Sequence, residues 1–217
     1  MSIKVSNLHI EYSDKLVFDD VNLEVGDNEI VAIFSEVLDG GTSLLKGIAG
    51  FLNGVKGEVW YEGYNLLDNP PPELQHQLGF VYETNGLVSI FSVFQNISLP
   101  LQFHTEMSID EITSKVLTMC DLLGISDNLL DKRPHHLNDV QTRIVNLARA
   151  LIVEPKVLLI DELEGGMSDD YLQDTMVTLR KRQQDHPMAI IITTSNDIVL
   201  NQADRVFLIK NNNLVAA

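Results

Sequence analysis

The stretch Glu29-Ile30-Val31-Ala32-Ile33-Phe34 limits the possible folds of this chain more than any other. It holds a short, unbroken apolar run, the pattern of a strand buried on both faces. The segment behind it, Ser43-Leu44-Leu45-Lys46-Gly47-Ile48-Ala49-Gly50, has helical periodicity and a glycine stop. Ahead of it, residues 3–10 and 17–25 alternate apolar and polar side chains, which predicts two half-buried antiparallel strands. Glu58–Tyr61 and Phe80–Glu83 read as further strands, with the breaker Pro70-Pro71-Pro72 between them. From about 92 to 151 the pattern turns helical, with candidate helices Val93–Leu101, Asp110–Leu123 (capped by Ser108) and Gln141–Leu151. Strand Val157–Ile160, helix Asp170–Gln184 and strand Ala189–Thr193 follow, then closing strands Arg205–Ile209 and Asn213–Val215. A β-rich start, an inserted helical block and a β-α-β finish imply a layered α/β core with a helical excursion.

Composition narrows the class of function. The 217 residues, 45% apolar, suffice for one well-cored unit. With 15 basic and 31 acidic side chains the net charge is −16, which repels nucleic-acid phosphates and anionic headgroups, so no nucleic-acid partner is expected. The basic run Arg180-Lys181-Arg182 ends a predicted helix and reads as a solvated face that complements the helix dipole. The acid pairs Asp110-Glu111 and Asp169-Asp170 suit first turns of helices. The single cysteine, Cys120, rules out an intrachain disulfide and points to a reducing compartment. Adjacent His135 and His136 are expected to point apart and to share no metal. No basic-then-apolar leader opens the sequence, and no apolar run nears the ~20 residues that cross a bilayer. At a membrane, another chain would have to hold this one.

Strand 29–34, loop 35–42 and the helix from Ser43 form the strand–loop–helix context of a phosphate-binding P-loop, whose consensus is G-x-x-x-x-G-K-S/T. Here the register reads Ser35-Glu36-Val37-Leu38-Asp39-Gly40-Gly41-Thr42. Gly40 and Thr42 match, Ser35 replaces the first glycine, and Gly41 stands where the lysine belongs. In a working loop backbone N–H groups cradle the phosphates and lysine neutralises the β/γ oxygens. Without that cation, and with Glu36 and Asp39 added, a triphosphate meets repulsion. Unit charges at ~4 Å interact by about 1 to 4 kcal/mol between bulk water and a surface site.

Later segments supply landmarks. Val157-Leu158-Leu159-Ile160-Asp161-Glu162 is an apolar strand ending in two acids. Upstream of it lie His136-Leu137-Asn138-Asp139-Val140-Gln141 and Val145-Asn146-Leu147-Ala148-Arg149-Ala150-Leu151. Downstream lie Ile190-Ile191-Ile192-Thr193 and Ala203-Asp204-Arg205-Val206; Gln95-Asn96-Ile97-Ser98-Leu99-Pro100-Leu101 comes earlier. In order and spacing these resemble the signature helix, Walker B strand, switch strand, A-D-R ending and helical-subdomain stretch of the ATP-binding subunit of ABC transporters. The resemblance runs from Ile3 to about Val215, and stretch 79–101 is most similar to small ATPases of lipid trafficking. It implies one P-loop NTPase domain over 1–217: a parallel-sheet core with an antiparallel β subdomain (about 1–88 and 152–217) and a helical subdomain (about 89–151).

Carried over residue by residue, the resemblance implies a nucleotide site at Tyr12, Ser35, Gly40, Gly41, Thr42, Ser43 and Glu83. Tyr12 is either the adenine-stacking aromatic or a structural tyrosine. Glu83 falls on the Mg²⁺-sensing glutamine, and an ionised acid donates no hydrogen bond. Thr42 and Asp161 would hold Mg²⁺, and Glu162 would polarise the attacking water. Asn138, Asp139 and Val140 replace the signature's serine and two glycines, with Gln141 retained; an acid and a β-branched valine obstruct approach to a γ-phosphate. Leu163-Glu164 replaces Pro-Thr, Ser168 replaces the D-loop aspartate, and Ser195 (or Thr194) the switch histidine. The family acts as a head-to-tail dimer, so homodimer and heterodimer with another ABC ATPase are both open. Since this chain departs in both halves of the composite site, no fully equipped site includes it. ATP and Mg²⁺ are expected only insofar as residual binding survives. The favoured expectation is an ATPase-deficient subunit, docked on an integral membrane partner at the cytoplasmic face. An active ATPase powering transport, of lipids or otherwise, and a soluble scaffold or regulator with the same fold are the alternatives.

Overall fold

The computed structural model describes residues 2–13, 15–36, 38–84 and 86–217. The alternating segments form β1 (Ser2–Tyr12) and β2 (Lys15–Gly26), antiparallel, with β4 (Lys56–Tyr61) and β5 (Tyr64–Asn65) completing a sheet of order β2-β1-β4-β5. The apolar runs form β3 (Ile30–Phe34), β7 (Val157–Asp161) and β8 (Ala189–Thr194), which lie side by side and parallel. With β6 (Leu78–Val81), β9 (Arg205–Lys210) and β10 (Asn213–Ala216) they build a second sheet of order β10-β9-β3-β8-β7-β6, antiparallel only at its β10 edge.

The helices are α1 (Gly41–Ile48), α2 (Pro72–Gln75), α3 (Val93–His104), α4 (Ile109–Leu123), α5 (Asp139–Leu151), α6 (Asp169–Asp185) and α7 (Asp197–Gln202). Strand period 2 divides the parallel sheet between two cores. Ile30, Ala32, Leu158, Ile160, Ile190 and Ile192 pack with α3, α4, α5 and α6. Their alternates Val31, Ile33, Val157, Leu159 and Ile191 pack with α1 and the antiparallel sheet.

Boundaries moved where side chains took over backbone partners. The strand expected to reach Glu83 stops at Val81, because the Tyr82 and Glu83 carbonyls accept from Asn146 Nδ2 (3.1 Å) and Arg143 Nη1 (2.9 Å) of α5. The helix expected to end at Leu101 runs through Pro100 to His104. Ser108 caps α4 as expected, in a reciprocal capping box with Glu111. Helix α7 and β5 were not anticipated; α7 starts where Asn196 Oδ1 accepts from the Ile198 N–H at 2.8 Å.

Two charge expectations are corrected. The run at 180–182 is not simply a solvated face: Arg180 donates to Asp204 Oδ2 (2.9 Å) and to the Gln202 carbonyl (2.8 Å), tying α6 to the approach to β9. Burial works to raise the Asp204 carboxyl, but the Ile30 N–H and the Arg180 guanidinium outweigh it and hold it below the usual range. His135 and His136 do not point apart; their turn brings the rings to 4.0 Å between centroids. Among the described residues no group of three or more His, Cys, Asp or Glu could hold a metal ion.

Candidate functional site

Strand β3 delivers its C-terminal end to loop 35–40, and the loop feeds α1. Ser35 is buried (4% exposed), and its N–H donates to the Thr194 carbonyl at 3.0 Å. Beyond it the loop bonds to itself. The Asp39 N–H donates to the Glu36 carbonyl (3.1 Å), and Asp39 Oδ2 accepts from the Glu36 N–H (2.9 Å). A carboxylate therefore already occupies one of the amides that a phosphate cradle would offer. Gly40, the N-cap of α1, has φ +95°, and a Cβ there would lie 2.6 Å from Val17 Cγ1, so both conformation and space demand glycine. Thr42 and Ser43 open α1, whose N-terminus has no side-chain cap. Tyr12, 43% exposed, donates its hydroxyl to Ser43 Oγ at 3.4 Å, which sets its ring beside the start of α1.

Strand β7 ends in the acids. Asp161 is 2% exposed, and its Oδ1 accepts from Thr193 Oγ1 of β8 at 2.9 Å. Glu162 turns the chain with φ +45°, and its N–H donates to the Thr193 carbonyl at 3.2 Å. Its carboxyl is pushed up first by burial, then by Glu83, Asp161 and Glu164, with Arg143 opposing. Glu164 reaches across to the end of β8, where its Oε1 accepts from Thr194 Oγ1 (2.6 Å) and the Ser195 N–H (3.1 Å). Its Oε2 is buried and has no hydrogen-bond partner among the described residues. Ser195 itself is exposed, and its backbone N–H is held by the Glu164 carboxylate.

Residues 138–141 begin α5. Asn138 Oδ1 accepts from the Gln141 N–H (2.8 Å) and Gln141 Oε1 accepts from the Asn138 N–H (3.1 Å), a reciprocal cap that occupies those two amides. Asp139 lies exposed in that turn. Val140 lies against Gly166, where an added Cβ would be 3.5 Å from Val140 Cγ2.

Two groupings result. Ser35, Gly41, Thr193 and Asp161 meet at the ends of β3, β7 and β8. Glu83, Glu162 and α5 are joined by Arg143, which the sequence reading did not single out. Its guanidinium donates to the carbonyls of Glu83 (2.9 Å), Glu162 (2.8 Å) and Gly165 (3.1 Å). The available signal was a lone cation two residues after Gln141, but its acceptors lie on two distant loops. Thr193 was likewise passed over as part of an apolar strand.

Comparison with known proteins agrees with this architecture. The family model described as "ABC transporter" matches residues 18–164. The sulfate/thiosulfate import ATP-binding protein CysA 1 of Chromobacterium violaceum is 32% identical over 215 residues, covering 97% of this chain and 59% of that protein. The spermidine/putrescine import ATP-binding protein PotA of Clostridium novyi is 29% identical over 208 residues, covering 94% and 58%. The chain thus spans less than two thirds of the length of these relatives. In structure it is similar to the dimeric bacterial ABC transporter cassette MJ0796, with TM-score 0.90 and 22% identity over 98% of this chain and 96% of that one. It is also similar to cbiO1 of Clostridium perfringens, part of the transporter complex cbiONQ, with TM-score 0.82 and 28% identity over 98% and 86%. The chain belongs to the ABC transporter family, among its ATP-binding (nucleotide-binding) cassettes.

Proposed function

We propose that this chain is an ATPase-deficient ABC cassette that serves as a docking subunit for an integral membrane partner at the cytoplasmic face. The observation that carries the proposal is the state of loop 35–42. It has no lysine, and the Asp39 carboxylate sits on the Glu36 N–H. Thr42 and Asp161 remain as a donor set for Mg²⁺, but Asp161 Oδ1 is engaged by Thr193. At the start of α5 the Asn138 and Gln141 N–H groups are also taken, each by the other's side chain. Charge and occupied donors therefore both oppose a nucleotide triphosphate, and the residues present do not fit Mg·ATP.

A second feature supports docking. A cavity of about 400 Å³ opens beside the end of α1, lined by Ala49, Gly50, Phe51, Leu66, Leu74 and His104. Phe51, which lines it, is exposed, as expected of a surface that receives an apolar partner segment. Among the described residues no helix is long and apolar enough to cross a membrane, so the spans would come from the partner. A homodimer or a heterodimer with an active cassette would suit this role, and relatives named for sulfate and polyamine import make an importer the first setting to test.

The alternative, an active ATPase, draws on the uncapped start of α1, on Thr42, and on the retained pair Asp161-Glu162. Phosphate release by the chain, alone and reconstituted with its membrane partner, separates the two. The proposal expects the same rate for wild type and for Glu162→Gln in this chain. A rate abolished by that substitution would establish the alternative.

A further inference from the structure

The two departures at the ends of the phosphate loop, Ser35 and Gly41, are in contact with each other. A Cβ added at residue 41 would lie 2.6 Å from Ser35 Oγ, 3.1 Å from Ser35 Cβ and 3.0 Å from Thr193 Cγ2. The backbone of Gly41 is not what demands glycine, because its φ is not positive and it is already the first residue of α1. Space demands it. Ser35 is buried at the end of β3, its N–H fixed to the Thr194 carbonyl, and Thr193 is fully buried with its hydroxyl on Asp161. Neither wall is free to withdraw. Rotating the Ser35 hydroxyl away would remove the 2.6 Å encounter and leave the other two.

We propose that Ser35 is the residue that sets the specificity of this loop. Its side chain fills the volume through which any side chain at 41 would have to leave the backbone, and so bars the cation that a phosphate-binding loop requires. The glycine at 41 is therefore coupled to the serine at 35, and a side chain cannot be restored at 41 while that serine stands. A glycine at 35 vacates the space, and only then is residue 41 open to substitution. The inference deepens the proposed function, yet its geometry holds whether or not nucleotide binds.

A thermal-denaturation cycle without nucleotide tests it, using Gly41→Ala in backgrounds carrying serine, alanine or glycine at 35. Overpacking a close-packed site of this kind lowers the midpoint of a domain this size by roughly 3 to 10 °C. The inference expects that fall for Gly41→Ala alone, a smaller fall in Ser35→Ala, and little or none in Ser35→Gly. If Gly41→Ala does not fold, recovery of a folded Ser35→Gly/Gly41→Ala protein counts as the same result. Equal falls in all three backgrounds, or no fall in any, would overturn it. Mg·ATP binding by wild type would overturn the proposed function and leave this coupling untouched.

Discussion

At the residue scale, Glu162 at the end of β7 is held among like charges. Glu162 stands near Glu83, Asp161 and Glu164, with Arg143 as the opposing cation. Its folded-state pKa is raised, so the folded protein holds more proton there than the unfolded one between the two values. The sign follows from linkage: stability from this group is greatest below the ordinary carboxyl range and declines as pH rises through the raised value. Glu162→Gln removes that cost. The substitution is expected to raise the thermal midpoint at pH 7 by about 1–2 °C, since solvent screening leaves only a fraction of a kcal/mol. The gain should disappear near pH 4, and a loss at pH 7 would show that Glu162 contributes a favourable contact instead. Each altered residue (Ser35, Gly41, Asn138, Asp139, Val140, Ser195) was legible in the sequence as a departure from a pattern. The contact between residues 35 and 41 was not, because it depends on how β3 and α1 approach in space.

At the element scale, α5 does more than present a signature-like turn. Arg143 joins it to the loops after β6 and β7 through three carbonyls. Hydrogen bonds from a charged donor contribute about 1.5–3 kcal/mol each, and loss of several partners at a half-buried site is not additive. Arg143→Met is therefore expected to cost about 2–4 kcal/mol in urea denaturation. Lys at 143 should recover little, because a single ammonium lacks the planar fork that spans these acceptors. At the helix start, Asn138→Ala should cost about 1 kcal/mol and Asn138→Ser far less. Equal costs for the two would mean that the cap adds no stability.

Element type was readable wherever period and caps agreed, as in α4 with Ser108 and Gly124 at its ends. It failed where tertiary partners replaced local ones. The strand end at Val81 depends on Asn146 and Arg143, which lie more than sixty residues away and leave no local mark. Helix α7, only Asp197–Gln202, is too short for a periodic signal.

At the scale of the whole molecule, the sheets and the inserted helices are those of an ATP-binding cassette, while loop 35–42 carries no lysine and its Glu36 N–H is taken by Asp39. The cavity beside α1, proposed as the docking site, is formed without nucleotide. In size-exclusion chromatography with light scattering, Mg·ATP is accordingly expected to leave the oligomeric state of the purified chain unchanged. A nucleotide-driven dimer would contradict that. Isothermal titration of Mg·ATP into the purified protein bears on the central claim most directly. The account predicts no saturable heat up to millimolar nucleotide, and micromolar, stoichiometric binding would contradict it.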